Sequence, residues 1–132
     1  MSIKKGILKI SSIQGCQPSC DINLFIVRSC KSVPKGFTHI PGLAPSSELF
    51  YKYWDWKKHN QWPSKWPEYV NAFVEEMKQP EMAKLIRLIK ERLDQGKSVQ
   101  LTCFCPDELY CHRSLIAELF EHWGYIIERM VA

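Results

Sequence analysis

The residues best suited to chemistry in this chain lie in one stretch, Cys103-Phe-Cys-Pro-Asp-Glu-Leu-Tyr-Cys-His-Arg-Ser114. It gathers three thiols, an imidazole, a guanidinium and a hydroxyl. Three chemistries fit. In an anion pocket, Arg113 would offer its planar fork to phosphate or carboxylate, Ser114 its hydroxyl, and a helix start its unpaired N–H groups. In thiol chemistry, Cys111 or Cys105 would be the nucleophile and His112 its base. A metal site would use Cys103, Cys105, Cys111 and His112. Spacing argues against the metal. C-x-C on a strand followed by an adjacent Cys-His pair departs from the common zinc knuckles, and adjacent residues rarely ligate one ion together. A phosphatase-type loop also fails, because the residue six before Arg113 is Asp107, not a cysteine. The plain alternative is packing, with Cys103 and Cys105 as small core residues and Cys111 buried beside them.

The elements that must position this stretch are legible around it. Ser98–Phe104 reads as a strand. A helix runs from about His112 to Trp123, with Leu115, Ile116, Leu119, Phe120 and Trp123 as its buried stripe. Gly124 stops it, and Tyr125–Arg129 is a last strand. Such a strand–helix–strand unit is expected to be parallel and right-handed. The reactive stretch then sits at the carboxyl end of a strand, where open α/β sheets bind ligands.

Upstream, Gly6–Ile13 and Asp21–Ser29 read as strands. The run Ile22-Asn-Leu-Phe-Ile-Val27 is nearly continuous, as a buried strand should be. The link Gln14–Cys20 is too short for a crossover helix, so these two strands are expected to be antiparallel neighbours or joined across an edge. Pro67 suits the first turn of a helix carrying Tyr69, Val70, Phe73, Val74 and Met77. Pro80 opens another, with Met82, Leu85, Ile86, Ile89 and Leu93 on one face, and Gly96 ends it. The fold class is therefore α/β: one compact domain over residues 1–132, with a mixed, mostly parallel sheet flanked by helices, Rossmann-like.

Residues 30–67 form a long irregular excursion interrupted by a short helix, Ser46–Lys57, capped by Ser46 or Ser47. So long an excursion in a small domain usually covers or forms a site. Its stretch Lys52–Trp66 interleaves aromatics with cations. Trp54 and Trp56 are candidates to stack a nucleobase over the arginine pocket while lysines hold phosphates. The competing reading has the tryptophans anchoring the loop to the core and the lysines facing water. His39, His59 and His122 read as solvated or structurally satisfied.

Composition narrows the class. The net charge of +4 permits an anionic partner without the basic stripe of a dedicated duplex-DNA binder. Lys9, Ser11 and Ser12 interrupt the N-terminal apolar residues, so no secretory signal is expected. No stretch approaches the roughly 20 apolar residues of a membrane span. A cytoplasmic address follows by default, and with it six reduced cysteines. No motif calls for a cofactor.

Two groups of residues resemble a known family, domain of unknown function 488, which includes the YeaO-like proteins. The first is Leu101-Thr-Cys-Phe-Cys followed by Cys111-His-Arg-Ser-Leu-Ile-Ala-Glu-Leu119. The second is Gly42-Leu-Ala-Pro-Ser-Ser-Glu-Leu49 with Trp66-Pro-Glu-Tyr69. The resemblance implies a compact α/β fold with Arg28 and Arg113 near one pocket, and no agreed reaction. Many relatives carry an aspartate just before the first arginine, where this chain has Ile26-Val-Arg28; the "WPRG"-like stretch of YeaO-like members is also missing. If that aspartate is catalytic in relatives, this chain would bind without turnover.

The expected function is recognition, extending to processing, of a phosphate-bearing small molecule or nucleic acid in the strand–loop–helix pocket, with no membrane partner. Arg28 and Arg113 would bind the anion, Ser114 would hydrogen-bond it, Cys105, Trp54 and Trp56 would line the ligand, and Cys111 with His112 would be catalytic. The alternatives are a cysteine-dependent transferase or hydrolase, and an interaction module presenting the tryptophan-rich loop.

Overall fold

The β-rich runs assemble into one sheet. The structure is a computed structural model that describes residues 4–14, 16–104 and 110–129. In chain order the elements are β1 (Leu8–Ser12), β2 (Ile22–Phe25), β3 (Thr38–His39), a 3-10 turn at Pro41–Leu43, α1 (Ser47–Lys58), α2 (Trp66–Met77), α3 (Pro80–Asp94), β4 (Val99–Cys103), α4 (His112–His122) and β5 (Ile127–Arg129). The strands lie in the order β3-β2-β4-β1-β5, and every pairing is parallel. The α/β reading stands. No helix among the described residues is long and apolar enough to cross a membrane.

One expectation is overturned. β1 and β2 are neither antiparallel nor neighbours: β4 lies between them, parallel to both. The chain returns from β1 to β2 with no helix among the described residues between them, and polar side chains hold it in place. The β1–β4 register sets Lys9 beside Gln100 and Ser11 beside Thr102, so these four share one face. Gln100 Nε2 donates to Ser11 Oγ (3.0 Å) and to Cys16 Sγ (2.8 Å). Its Oε1 accepts from the Ser19 N–H at 3.2 Å. A buried glutamine with its amide groups bonded thus does what a crossover helix does elsewhere: it covers the sheet and leaves little polarity unpaired.

The opposite face carries Leu8, Ile10, Val99, Leu101 and Cys103. These join one core with Met82, Ile86, Ile89 and Leu93 of α3, Leu115, Ile116 and Phe120 of α4, and Tyr69 and Phe73 of α2. Trp123 departs from the expected stripe of α4: it caps the helix and is 42% exposed. The first half of α4, His112–Ala117, is buried all round, which turns its polar residues inward. Ser46 caps α1 by accepting the Leu49 N–H at 3.2 Å and is itself held by Glu76 of α2 through its N–H (2.8 Å) and hydroxyl (2.5 Å).

Entry into β1 depends on Gly6, where a Cβ would stand 1.8 Å from the Lys97 carbonyl oxygen. Gly124 has a left-handed φ of +92° with nothing within 4 Å of such a Cβ. Gly124→Ala should therefore cost about 1–2 kcal/mol, the price of the left-handed backbone alone. Gly6→Ala should cost more, because backbone must move. Thermal denaturation of the two variants checks the order, and equal melting temperatures would show that β1 has room to shift.

Candidate thiol site

Sheet topology fixes where a ligand can enter. From β2 the chain moves outward to β3, and from β4 it moves the other way, over β1 to β5. The neighbours β2 and β4 thus send their connections in opposite directions, which opens a crevice at their carboxyl ends. A cleft of about 280 Å³ occupies this position. Val27, Arg28 and Ser29 enter it beyond β2, and Cys103 and Phe104 at the end of β4.

Two sulfurs form its floor. Cys103 is the last residue of β4 and Cys111 immediately precedes α4. Their Sγ atoms are 3.2 Å apart, and both residues are buried while lining the cleft. Arg113 Nη1 donates to Cys103 Sγ at 2.8 Å and to Cys111 Sγ at 3.4 Å. His112 Nε2 lies 2.8 Å from the Ile26 carbonyl oxygen, which can only accept, so Nε2 carries a proton. In the neutral ring Nδ1 is then the acceptor, and it faces Cys111 Sγ at 3.6 Å. These contacts favour a thiolate. The hydrogen bond from Cys111 holds the Cys103 thiol far below its ordinary 9, at about 5, opposed by burial and aided by the charge and hydrogen bond of Arg113. Burial, then the charge of Cys111, pushes the Tyr69 hydroxyl the other way, well above its ordinary value.

The walls are aromatic. Phe50, Tyr53, Trp54 and Lys57 stand at i, i+3, i+4 and i+7 of α1 and all line the cleft, with Tyr69 and Tyr110 opposite. Lys57 Nζ lies 5.0 Å from the Tyr53 ring centroid and 5.7 Å from that of Trp54. Arg28 is exposed at the rim, where Nη1 donates to the Pro45 carbonyl at 3.2 Å. The Leu43-Ala-Pro-Ser46 stretch thereby joins the start of α1 to the end of β2.

Several expected site residues are placed otherwise than their types suggested. Arg113 does not line the cleft. It is 1% exposed and points at the sulfurs, because the first turn of α4 is buried on every side. It donates to the two sulfurs, and a direct fork onto a ligand phosphate is not what this geometry offers. Ser114 is buried too, with its N–H on the Cys111 carbonyl at 3.0 Å, so it stands behind the cleft. Trp56 is a core residue, stacked on Trp62 at 6.3 Å and absent from the lining; Trp54, 53% exposed, is on it. Cys105 lies outside the described residues. Cys103, read as packing or a metal ligand, is half of the thiol pair. Phe50, Tyr53 and Lys57 join Trp54 on the cleft, and their helical spacing with it is the sequence signal that marks them. His39 is structurally satisfied, its Nε2 bonded to the Val27 carbonyl at 2.7 Å.

The spacing argument against a metal loses its force in three dimensions, since ligand atoms of Cys103, Cys111 and His112 all lie within 4.8 Å of one another. These three would hold a thiophilic ion. The guanidinium already in contact with both sulfurs supplies the positive charge that such an ion would bring.

A parallel α/β sheet with a thiol pair, an imidazole and a buried guanidinium at its switch point defines a small α/β protein with a cysteine-centred site. A family model described as "Active DUF488-N3 subclade" matches residues 17–124, well over half of the chain, so the chain belongs to the domain of unknown function 488 family. No curated protein and no solved structure matches it.

The thiolate has a consequence for stability. Between pH of about 5 and 9 the unfolded chain holds a proton on Cys103 that the folded chain has lost. The contribution is full above the unfolded pKa and disappears as pH falls through the folded one. Chemical denaturation of the protein and of Cys103→Ser across this range should give a stability difference that widens as pH rises. A difference independent of pH would mean that Cys103 is uncharged.

Proposed function

We propose that this protein recognises a phosphate-bearing ligand with a planar ring, a nucleotide or the end of a nucleic-acid strand, and processes it with a cysteine thiolate, as a transferase or hydrolase. The observation that carries this reading is the Cys103–Cys111 pair, with His112 and Arg113, on the floor of an aromatic cleft. The cleft is near the lower end of small-molecule pockets, roughly 300 Å³, which suits one ring and its sugar. Phe50 and Trp54 offer faces for stacking, and Arg28 and Lys57 offer charge for a phosphate. The sulfur pair holds one proton; the deprotonated sulfur attacks the ligand's phosphorus, the bond from phosphorus to the leaving oxygen breaks, and water or an acceptor then displaces the sulfur. Arg113 stabilises that charge. His112, with Nδ1 toward Cys111, takes the remaining proton and returns it to the leaving group.

The interaction-module reading has one observation in its favour: Tyr51 and Trp54 are 76% and 53% exposed on α1. Trp62 and Trp66 are partly buried, each in ring contact with Tyr69, which narrows such a surface to this one helix.

Titration with mononucleotides and short oligonucleotides, followed by tryptophan fluorescence and calorimetry, tests the proposal. Trp54→Ala should weaken binding by about 1–3 kcal/mol through lost stacking. Arg28→Ala should weaken it by about 1.5–3 kcal/mol, the worth of a charge-assisted hydrogen bond. Trp56→Ala should instead cost about 3–5 kcal/mol of stability, as large core truncations do. The reading is abandoned if no nucleotide or oligonucleotide binds at millimolar concentration, or if Trp54→Ala and Trp56→Ala have the same effect.

A further inference from the structure

We propose that Cys103 and Cys111 are a reversible dithiol–disulfide couple, oxidised by peroxides that enter through the aromatic cleft. The proposal goes beyond ligand processing and does not depend on it, because oxidation is read on the protein alone.

The geometry carries it. The two sulfurs are 3.2 Å apart with no atom needed between them. A disulfide requires about 2.05 Å, so closure is a movement of roughly one ångström. Strand β4 fixes one sulfur. The other sits just before α4, where the chain is still extended. Both line a cleft open to small solutes. Tetrahedral ligation of one zinc at about 2.3 Å per sulfur would set the two sulfurs farther apart, and Arg113 already lies against both. Arg113 Nη1 lies closer to Cys103 Sγ, at 2.8 Å, than to Cys111 Sγ, at 3.4 Å, which makes Cys103 the first sulfur to react.

The steps balance. The Cys103 thiolate attacks one peroxide oxygen; an S–O bond forms, the O–O bond breaks, and hydroxide leaves, taking a proton to become water. Cys103 is then a sulfenic acid. Cys111 attacks its sulfur; the S–S bond forms, the S–O bond breaks, and the second oxygen leaves as water with the proton of Cys111. His112 Nδ1, 3.6 Å from Cys111 Sγ, is the group placed to carry that proton. The two sulfurs together lose two electrons, and the peroxide gains them. A dithiol such as dithiothreitol reverses the change by thiol–disulfide exchange.

The test uses the full chain, reduced and then freed of reductant. Hydrogen peroxide is added at about one equivalent, the protein is denatured and alkylated, and peptides are mapped by mass spectrometry. The expected product is a crosslinked pair of peptides holding Cys103 and Cys111, restored to two alkylated thiols by dithiothreitol. Within the same molecule Cys30 is the control, and Cys103 should react about tenfold faster than it, as an activated thiolate does. In Cys111→Ser, Cys103 should stop at a sulfenic acid trapped by dimedone. That variant keeps the shape of the side chain at slightly smaller volume, and circular dichroism checks its fold. The proposal is overturned if Cys103 and Cys111 stay reduced while Cys30 oxidises, if either pairs instead with another cysteine, or if both are protected and release a stoichiometric metal on denaturation. None of these outcomes bears on nucleotide binding, which is measured on the reduced protein.

Discussion

A buried guanidinium sets the terms for the rest of this site. Arg113 is the largest of the fully buried side chains, and an isolated charge there would cost several kcal/mol. Its Nη1 donates to two sulfurs. A thiol is a weak acceptor, so the pairing is worth most when one sulfur is ionised. The arginine therefore favours the thiolate, and the thiolate makes the arginine tolerable where it is.

The constraint reaches outward through the backbone. Cys103 ends the central strand, every residue of which is buried. Cys111 starts a helix whose first half is enclosed. His112 is tied to the carbonyl of Ile26, just past β2. Three elements thus meet at the sulfur pair, the two strands ending at the same edge of the sheet because they are parallel. Arg28 and the Ser46 cap extend the arrangement to α1, whose aromatic face closes the cleft. The Leu-Ala-Pro-Ser stretch and the Cys-His-Arg-Ser stretch, far apart in sequence, prove to be two sides of one crevice.

The sequence by itself determined what local periodicity and chemistry encode. The stripes of α2 and α3, the prolines in their first turns, the Ser46 cap and the strand–cysteine–helix junction all follow from short-range rules, and all are present. Tertiary structure decided whatever depends on a distant partner. β1 and β2 run parallel because each pairs with β4, whose Gln100 is 89 positions from Ser11, and no property of the short link announces it. Trp54 and Trp56 are two residues apart on one helix, hence on different faces, and only the position of α2 decides which is buried. Arg113 has the composition of a phosphate fork, yet its direction was set by the enclosure of α4. Cys103 looked like packing until the fold brought Cys111 to within 3.2 Å of it. Residue type states what a side chain can do; burial and the partner brought by the fold state which of those things it does.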